Sequence, residues 1–99
     1  MNKGGYIYII ANKNFTVLYT GVTSDLTARI QQHKEKFYSD SFTAKYNCTI
    51  LVFYKFFSSI EEAIEEEKRI KGGNRKQKIK LINEQNPGWK DLWEEIKIW

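Results

Sequence analysis

The amino-acid sequence predicts a small α+β domain, a three-stranded antiparallel sheet flanked by helices in the order β-β-α-β-α-α, with a short C-terminal helix. Three observations carry this prediction: two adjacent segments rich in β-branched and aromatic residues, a longer apolar run near the middle, and helical spacing of apolar residues elsewhere. A chain of 99 residues is long enough for one hydrophobic core. We therefore expect a single domain over residues 1–99, with no separate recognition module.

The first two strands are expected at residues 5–10 and 16–22, and the turn-like composition of the segment between them predicts a β-hairpin. Tyr6 and Tyr8 alternate onto the same face, and Tyr19 lies on the partner strand, so we expect an exposed cluster of phenols. Ordinary packing across strands is the alternative for these tyrosines. Gly21 indicates a close approach of a ligand phosphate, a positive φ, or simply the end of a strand.

The first helix is expected from about Asp25 to Phe37, with N-cap candidates in residues 23–25. Apolar side chains and one histidine recur there at spacings of four, three and four, the period of one helical face. These residues are Leu26, Ile30, His33 and Phe37. A polar loop is expected over residues 39–47. The apolar run 49–57 then predicts a strand that is buried on both faces and lies in the middle of the sheet.

Two further helices and a short terminal one complete the prediction. Ser59 begins a capping-box match that opens the first of them, and residues 72–73, both glycine, end it. The inward side of this helix carries Ala63, Ile64, Glu67 and Ile70. Asn74 is the candidate cap of the next helix, which is expected to end near residues 86–88. The spacing of apolar residues from Trp89 to Ile96 predicts a short amphipathic helix that packs on the core.

The composition excludes several classes of protein. No stretch approaches the roughly 18 uncharged residues of a membrane span, and the N-terminal residues lack the apolar segment of a secretion signal. We therefore expect a cytoplasmic protein that does not bind membranes. The single cysteine, Cys48, has no second thiol for a disulfide or a zinc site, and a buried core thiol is its expected role.

The net charge is +4 and is unevenly distributed. Acidic residues crowd positions 61–67, and positions 68–80 carry cations with no acid among them. The cations of this stripe are Lys68, Arg69, Lys71, Arg75, Lys76, Lys78 and Lys80. Such a stripe is the electrostatic footprint expected for a polyanion, because neutralising phosphates releases counterions. A solvated helix face is the alternative on charge alone.

Three polar side chains stand out on the predicted helices. Arg29 and His33 are four residues apart and border the apolar stripe, so both should emerge at the rim of the contact between helix and sheet, near the tyrosines. Glu67 is drawn toward the apolar side of its helix, where an unpaired carboxylate is costly. It therefore either pairs with a basic residue or binds a cation such as Mg²⁺.

Together these positions resemble the GIY-YIG nuclease family. Residues 6–8, Tyr-Ile-Tyr, stand for the first motif with tyrosine in place of the usual glycine, and residues 19–21, Tyr-Thr-Gly, stand for the second. Arg29, His33 and Glu67 follow in order, and residues 81–89 resemble the tail of the small stand-alone bacterial branch. The family includes a nuclease domain of bacterial excision repair and homing endonucleases. The lysine that follows the second motif in the repair branch is absent here, where Val22 and Thr23 stand.

The resemblance implies a metal-dependent endonuclease acting on DNA, in which Glu67 holds Mg²⁺ (or Mn²⁺) as Lewis acid. It implies that Tyr8 contacts the attacking water with His33 as proton relay, that Arg29 stabilises the transition state, and that Tyr19 orients the phosphate. The expected products carry 5′-phosphate and 3′-hydroxyl ends. Further nucleic-acid contacts are expected from one group of residues. This group consists of Tyr6, Gly21, Lys71, Arg75, Lys76, Lys78, Lys80 and Asn86.

Two other classes remain open from the sequence. A nucleic-acid-binding module of the same fold without useful turnover would bind through the basic stripe and cut nothing. A protein-interaction domain would use the C-terminal tryptophans Trp89, Trp93 and Trp99 as a docking surface, although packing on the core is the simpler role for them. The sequence does not decide between duplex, branched or single-stranded DNA and RNA, and it does not give the oligomeric state.

Overall fold

A computed structural model of the chain describes residues 4–99 and has the predicted α+β architecture, a three-stranded antiparallel sheet with helices on both faces. The expected domain spans residues 1–99, and its first three residues lie outside the described residues. The elements are β1 (Gly5–Ala11), β2 (Leu18–Thr23), α1 (Leu26–Lys34), α2 (Phe42–Lys45), β3 (Ile50–Phe57), α3 (Ile60–Lys71), α4 (Arg75–Gln85) and α5 (Trp93–Ile96).

The central strand is β1, because the sheet order is β2-β1-β3. The predicted hairpin is confirmed, with Tyr8 opposite Gly21 and Ile10 opposite Tyr19. The prediction that the run 49–57 lies in the middle of the sheet is wrong, since β3 is an edge strand whose second half includes the exposed residues Lys55 and Phe56. Its apolar first half, including Leu51 and Val52, is buried, which explains why the sequence looked like a central strand.

The edge of β3 is covered by the segment around residues 85–92. The backbone N–H of Leu51 donates to Asp91, the Leu92 N–H donates to the Leu51 carbonyl, and the side chain of Gln85 both donates to and accepts from the backbone of Tyr54. Asn86 donates to the Val52 carbonyl. These bonds satisfy backbone groups that an open edge strand would leave unpaired.

The sheet separates two hydrophobic clusters. One face, with Ile7 and Ile9 of β1, packs against α3 and α4, including Ala63, Ile70 and Ile82. The other face, with Tyr8 and Ile10, packs against α1 and the C-terminal segment, and this cluster also contains Cys48, which is buried as predicted. The alternation along β1 therefore decides which side chains face the candidate site. Among the helices formed by residues 4–99, none has the length and apolar character needed to cross a membrane.

The first helix ends earlier than predicted. Asp25 caps it as expected, but α1 stops at Lys34 and not at Phe37. Lys36 takes a left-handed φ of 52°, and the N–H of Phe37 bonds back to the Gln32 carbonyl, which is a Schellman ending. A lysine occupies the position where glycine usually announces this turn. Phe37, expected on the buried stripe, is consequently 63% exposed.

Two other local expectations have different outcomes. The predicted polar loop over residues 39–47 contains a short helix, α2, capped by the side chain of Ser41. Both predicted N-caps of the later helices are confirmed, since Ser59 accepts from the Glu62 N–H and Asn74 forms a full capping box with Gln77. The capping box predicted at Ser59 is only half formed, because the Glu62 carboxylate accepts from the hydroxyls of Ser58 and Ser59. The terminal helix α5 is confirmed, with Ile96 buried.

Candidate active site

The side chain of Tyr8, on the central strand β1, lies against Gly21 of the neighbouring strand β2. It is only 1% exposed, so the expected exposed cluster of phenols is wrong for this residue. A Cβ built on Gly21 would lie 2.4 Å from both Cζ and the hydroxyl oxygen of Tyr8. Gly21 does not have a positive φ. The missing side chain at Gly21 therefore makes room for the phenol, which is a tighter requirement than strand termination.

His33, on helix α1, forms a hydrogen bond with the hydroxyl of Tyr8 on strand β1. Its Nε2 lies 2.9 Å from the Tyr8 hydroxyl, and its Nδ1 lies 3.0 Å from Oγ1 of Thr43. Burial, aided by the charge of Arg29, lowers the pKa of His33 to about 4. The imidazole is therefore neutral at pH 7, with one protonated and one unprotonated nitrogen.

The phenol of Tyr8 is correspondingly hard to ionise. Burial is the largest cause that raises its pKa to about 12, and the proximity of Tyr19 and Glu67 acts in the same direction. Arg29 opposes this effect through its positive charge. Tyr8 of β1, Tyr19 of β2 and His33 of α1 therefore lie together in the structure. Glu67 of α3 is near enough for its charge to raise the pKa of Tyr8.

Tyr19 is half-buried and faces an open cavity of about 190 Å³. Its ring contacts those of His33 and Phe42, with a centroid distance of 6.1 Å in each case. Arg29, His33 and Lys36 also line the cavity, and all of its lining residues are neutral or potentially basic. The cavity combines cations with aromatic rings and offers space for an anionic substrate beside the Tyr8 and His33 pair.

Glu67 comes from the helix that packs on the other face of the sheet. It is 9% exposed, and Oε2 lies 2.8 Å from Nζ of Lys71. That ammonium also lies 5.4 Å from the centre of the Tyr19 ring, so Lys71 joins Glu67 to the tyrosine side of the site. Glu67 is not among the residues that line the cavity.

A divalent ion fits this arrangement only in a largely hydrated form. No cluster of three His, Cys, Asp or Glu side chains that could hold a metal ion exists within residues 4–99. Mg²⁺ commonly binds through one or two carboxylates, several waters and substrate phosphates, which matches a single carboxylate such as Glu67. Lys71 already neutralises this carboxylate, so a cation that binds Oε2 must displace the ammonium.

The remaining sequence-predicted contacts are dispersed. Tyr6 lies in a separate aromatic cluster with Tyr54, Phe56 and Trp99. Asn86 is buried, and its amide bonds the backbone of Val52 and Lys90.

The residues of the basic stripe also lie in different parts of the structure. Lys71 reaches the site, and Arg75 donates to the Phe15 carbonyl. Of the five stripe residues expected to contact nucleic acid, the other three, Lys76, Lys78 and Lys80, lie on α4, which packs on β3. In the part of the chain that the structure describes, no hydrogen bond, ion pair or ring contact links these three lysines to the tyrosine site.

Sequence reasoning missed the residues that α2 contributes. Thr43 bonds His33, and Phe42 stacks near Tyr19, yet residues 39–47 were expected to form only a polar loop. The aromatic residues of this segment were the available clue to a lining role. Nothing in the sequence pairs Thr43 with His33, because that contact depends on how the chain turns back after Lys36.

Comparison with known proteins decides the family. Residues 4–80 match the model of the GIY-YIG catalytic domain. The chain belongs to the GIY-YIG family. Residues 6–8 and 19–21, which resemble the two family motifs, lie on β1 and β2, and the pairing of Tyr8 with Gly21 brings them side by side.

Several UPF0213 proteins resemble the chain over most of their length. A UPF0213 protein of Staphylococcus haemolyticus is 40% identical over 83 residues, which span 80% of this chain and 94% of that protein. A UPF0213 protein of Syntrophus aciditrophicus is 33% identical over 82 residues, covering 83% and 92% of the two chains. The solution NMR structure of a UPF0213 protein from Bacillus halodurans superposes with a TM-score of 0.56 at 28% identity, covering 89% of this chain and 92% of that one.

Proposed function

We propose that this protein is a metal-dependent endonuclease that hydrolyses phosphodiester bonds in DNA. The observation that carries the proposal is the hydrogen-bonded pair of Tyr8 and His33 beside Arg29, next to an open cavity that includes Tyr19. The membership of the GIY-YIG family supports the same reaction class. A cytoplasmic location, with DNA as the partner, belongs to the same proposal.

The proton of the attacking water passes through Tyr8 to His33. As the water oxygen attacks phosphorus, the phenol oxygen takes a proton from the water while its own proton moves to Nε2 of His33, 2.9 Å away. This transfer avoids a free phenolate, which the raised pKa of Tyr8 makes costly. The departing 3′ oxygen takes a proton from solvent, so the products carry 5′-phosphate and 3′-hydroxyl ends.

Arg29 and Tyr19 orient the phosphate and stabilise its developing charge. A guanidinium matches the geometry of phosphate oxygens, and the hydroxyl of Tyr19 serves as a further donor on the same cavity wall. Glu67 would hold the Mg²⁺ (or Mn²⁺), and at Oε2 this requires Lys71 to move from its present ion pair. When bound, a divalent ion supplies Lewis-acid polarisation of the phosphate and stabilises the leaving oxygen.

The test compares Glu67→Gln with Glu65→Gln, a matched change of an exposed carboxylate on the same helix. Cleavage of labelled duplex, branched and single-stranded DNA, and of RNA, is measured with Mg²⁺, with Mn²⁺ and with EDTA. Binding is measured by anisotropy in EDTA. We expect the wild type and Glu65→Gln to cut only with metal, and Glu67→Gln to bind but not cut.

Two results would contradict the proposal. Cleavage by Glu67→Gln at the wild-type rate would remove Glu67 from the reaction. Salt-sensitive binding by the wild type without cleavage of any substrate would favour the alternative, a nucleic-acid-binding module of the same fold with little or no catalytic activity.

A further inference from the structure

We propose that Thr43 is a positioning residue, which accepts the Nδ1 proton of His33 and so keeps Nε2 free to take the proton of Tyr8. This inference rests on the proposed function for its catalytic meaning, but it makes a statement about hydrogen positions that is tested without substrate or metal.

The contacts of Thr43 form a chain that leads away from the phenol. Its Oγ1 lies 3.0 Å from Nδ1 of His33 and 3.2 Å from the hydroxyl oxygen of Ser41. Thr43 is 5% exposed, so water does not readily replace either partner. Ser41 is itself fixed, because it caps α2 by accepting from the Ala44 N–H.

The hydrogen-bond partners of Tyr8 determine which group donates in its bond with His33. Within residues 4–99, Nε2 of His33 is the only atom that forms a hydrogen bond with the Tyr8 hydroxyl. If Nε2 of His33 carried the imidazole proton, it would donate to the phenol oxygen, and the buried phenol hydrogen would have no acceptor within residues 4–99. A buried donor without an acceptor is costly. The phenol therefore donates to Nε2.

The protonation of the ring follows from that direction. The low pKa of His33 keeps the imidazole neutral, so its one proton lies on Nδ1 and points at Thr43. Thr43 accepts this proton through Oγ1, which also keeps its contact with the hydroxyl of Ser41. The short helix α2 thus has a definite task, which is to place one hydroxyl acceptor behind the imidazole. A His33 ring fixed in this tautomer is ready to receive the Tyr8 proton.

The chain offers an unusually clean test, because His33 is its sole histidine. Long-range ¹H–¹⁵N NMR spectra of the ¹⁵N-labelled, metal-free protein at pH 7 report the protonation of each ring nitrogen of that single imidazole. We expect the wild type to show a protonated Nδ1 and an unprotonated Nε2. Thr43→Ser keeps the hydroxyl and should keep that pattern, whereas Thr43→Val should lower the population of the Nδ1–H form and draw the two ¹⁵N shifts together.

Two results of the NMR experiment would contradict this inference. A wild-type imidazole protonated on Nε2 would overturn the inference, and so would an unchanged pattern in Thr43→Val. If Thr43→Val does not fold, the wild-type and Thr43→Ser spectra still decide the tautomer, and Thr43→Ala takes the place of the valine variant. In cleavage assays we expect Thr43→Val to lower kcat with little change in KM, and Thr43→Ser to restore kcat. The expected NMR pattern without any cleavage would leave this inference intact and count against the proposed function alone.

Discussion

The hydroxyl of Tyr8 lies 2.9 Å from Nε2 of His33, across 25 positions of sequence. This one contact joins the central strand to the first helix at the point where both GIY-YIG motifs meet. Burial favours the neutral form of both partners, because it raises the pKa of the phenol and lowers that of the imidazole. Both groups are consequently neutral at pH 7, so the pair carries no charge at rest.

The titration of His33 should reflect its burial. An NMR pH titration of this single imidazole should give a midpoint of about 4, well below the ordinary value of 6.5. A midpoint near 6.5 would show that the imidazole is not desolvated as described.

The same shift has a consequence for stability. Between pH 4 and 6.5 the unfolded chain binds a proton on His33 that the folded chain does not, so the free energy of unfolding should rise with pH across this window. The contribution is complete above pH 6.5 and is lost as the pH falls toward 4. Urea denaturation of the wild type and of His33→Gln measures this, and the variant should show a smaller rise. Equal slopes for the two proteins would contradict the prediction.

Gly21→Ala should damage the site through packing alone. The added Cβ would lie 2.4 Å from Cζ and the hydroxyl oxygen of Tyr8, so the phenol must shift and lose its bond to His33. We expect a loss of about 1–3 kcal/mol in the free energy of unfolding, as for other overpacked cores, and a large drop in cleavage rate. Gly88→Ala is the matched control, because a Cβ there meets nothing closer than 3.6 Å. Equal stability and activity in the two variants would refute this reading of Gly21.

Lys71→Met should strengthen divalent-ion binding at Glu67. The ammonium of Lys71 forms an ion pair with this carboxylate, and a hydrogen bond to Glu67 raises the pKa of the lysine. Such an i,i+4 pair is worth about 0.5 kcal/mol, so its removal should tighten Mn²⁺ binding by about twofold or more. Paramagnetic broadening of NMR signals near Glu67 measures this affinity. Lys97→Met removes a comparable pair with Glu94 and should leave the affinity unchanged. Weaker Mn²⁺ binding in Lys71→Met would contradict the competition between lysine and metal.

Thr20→Val should stabilise the protein. Thr20 stands at the middle of the second motif, and its Oγ1 is buried without a hydrogen-bond partner within residues 4–99. Replacing an unsatisfied hydroxyl by a methyl group of similar size should raise the free energy of unfolding by about 1 kcal/mol. Thermal and urea denaturation provide the measurement. A destabilised variant would indicate that the hydroxyl has a partner, such as an ordered water.

The sequence was sufficient for the order of the strands and helices along the chain, because the patterns that indicate them are local. Ser59 and Asn74 announce their helices by capping chemistry, and the parity of Tyr6 and Tyr8 assigns their faces. The position of β3 was mispredicted because apolar content reports burial and not strand order. Its edge is covered by residues 85–92, which are far away in sequence, and no local pattern encodes that cover.

The candidate site was predicted in part for the same reason. The Arg29 and His33 pair follows from helical spacing, but the burial of Tyr8 depends on the absence of a side chain at Gly21 on the neighbouring strand. The contact of Thr43 with His33 was invisible, because it requires the left-handed turn at Lys36 and the short helix that follows. Contacts that depend on tertiary packing cannot be predicted from the spacing of residues along the sequence.

The most direct test of the central claim is the conversion of supercoiled plasmid to nicked circles in Mg²⁺, Mn²⁺ or EDTA. It compares the wild type with Tyr8→Phe, Arg29→Ala and Glu67→Ala. We predict nicked circles only with a divalent ion and only for the wild type, with all three variants lowered to background. Nicking that persists in EDTA, or that survives in Glu67→Ala at the wild-type rate, would contradict a metal-dependent centre built on these side chains.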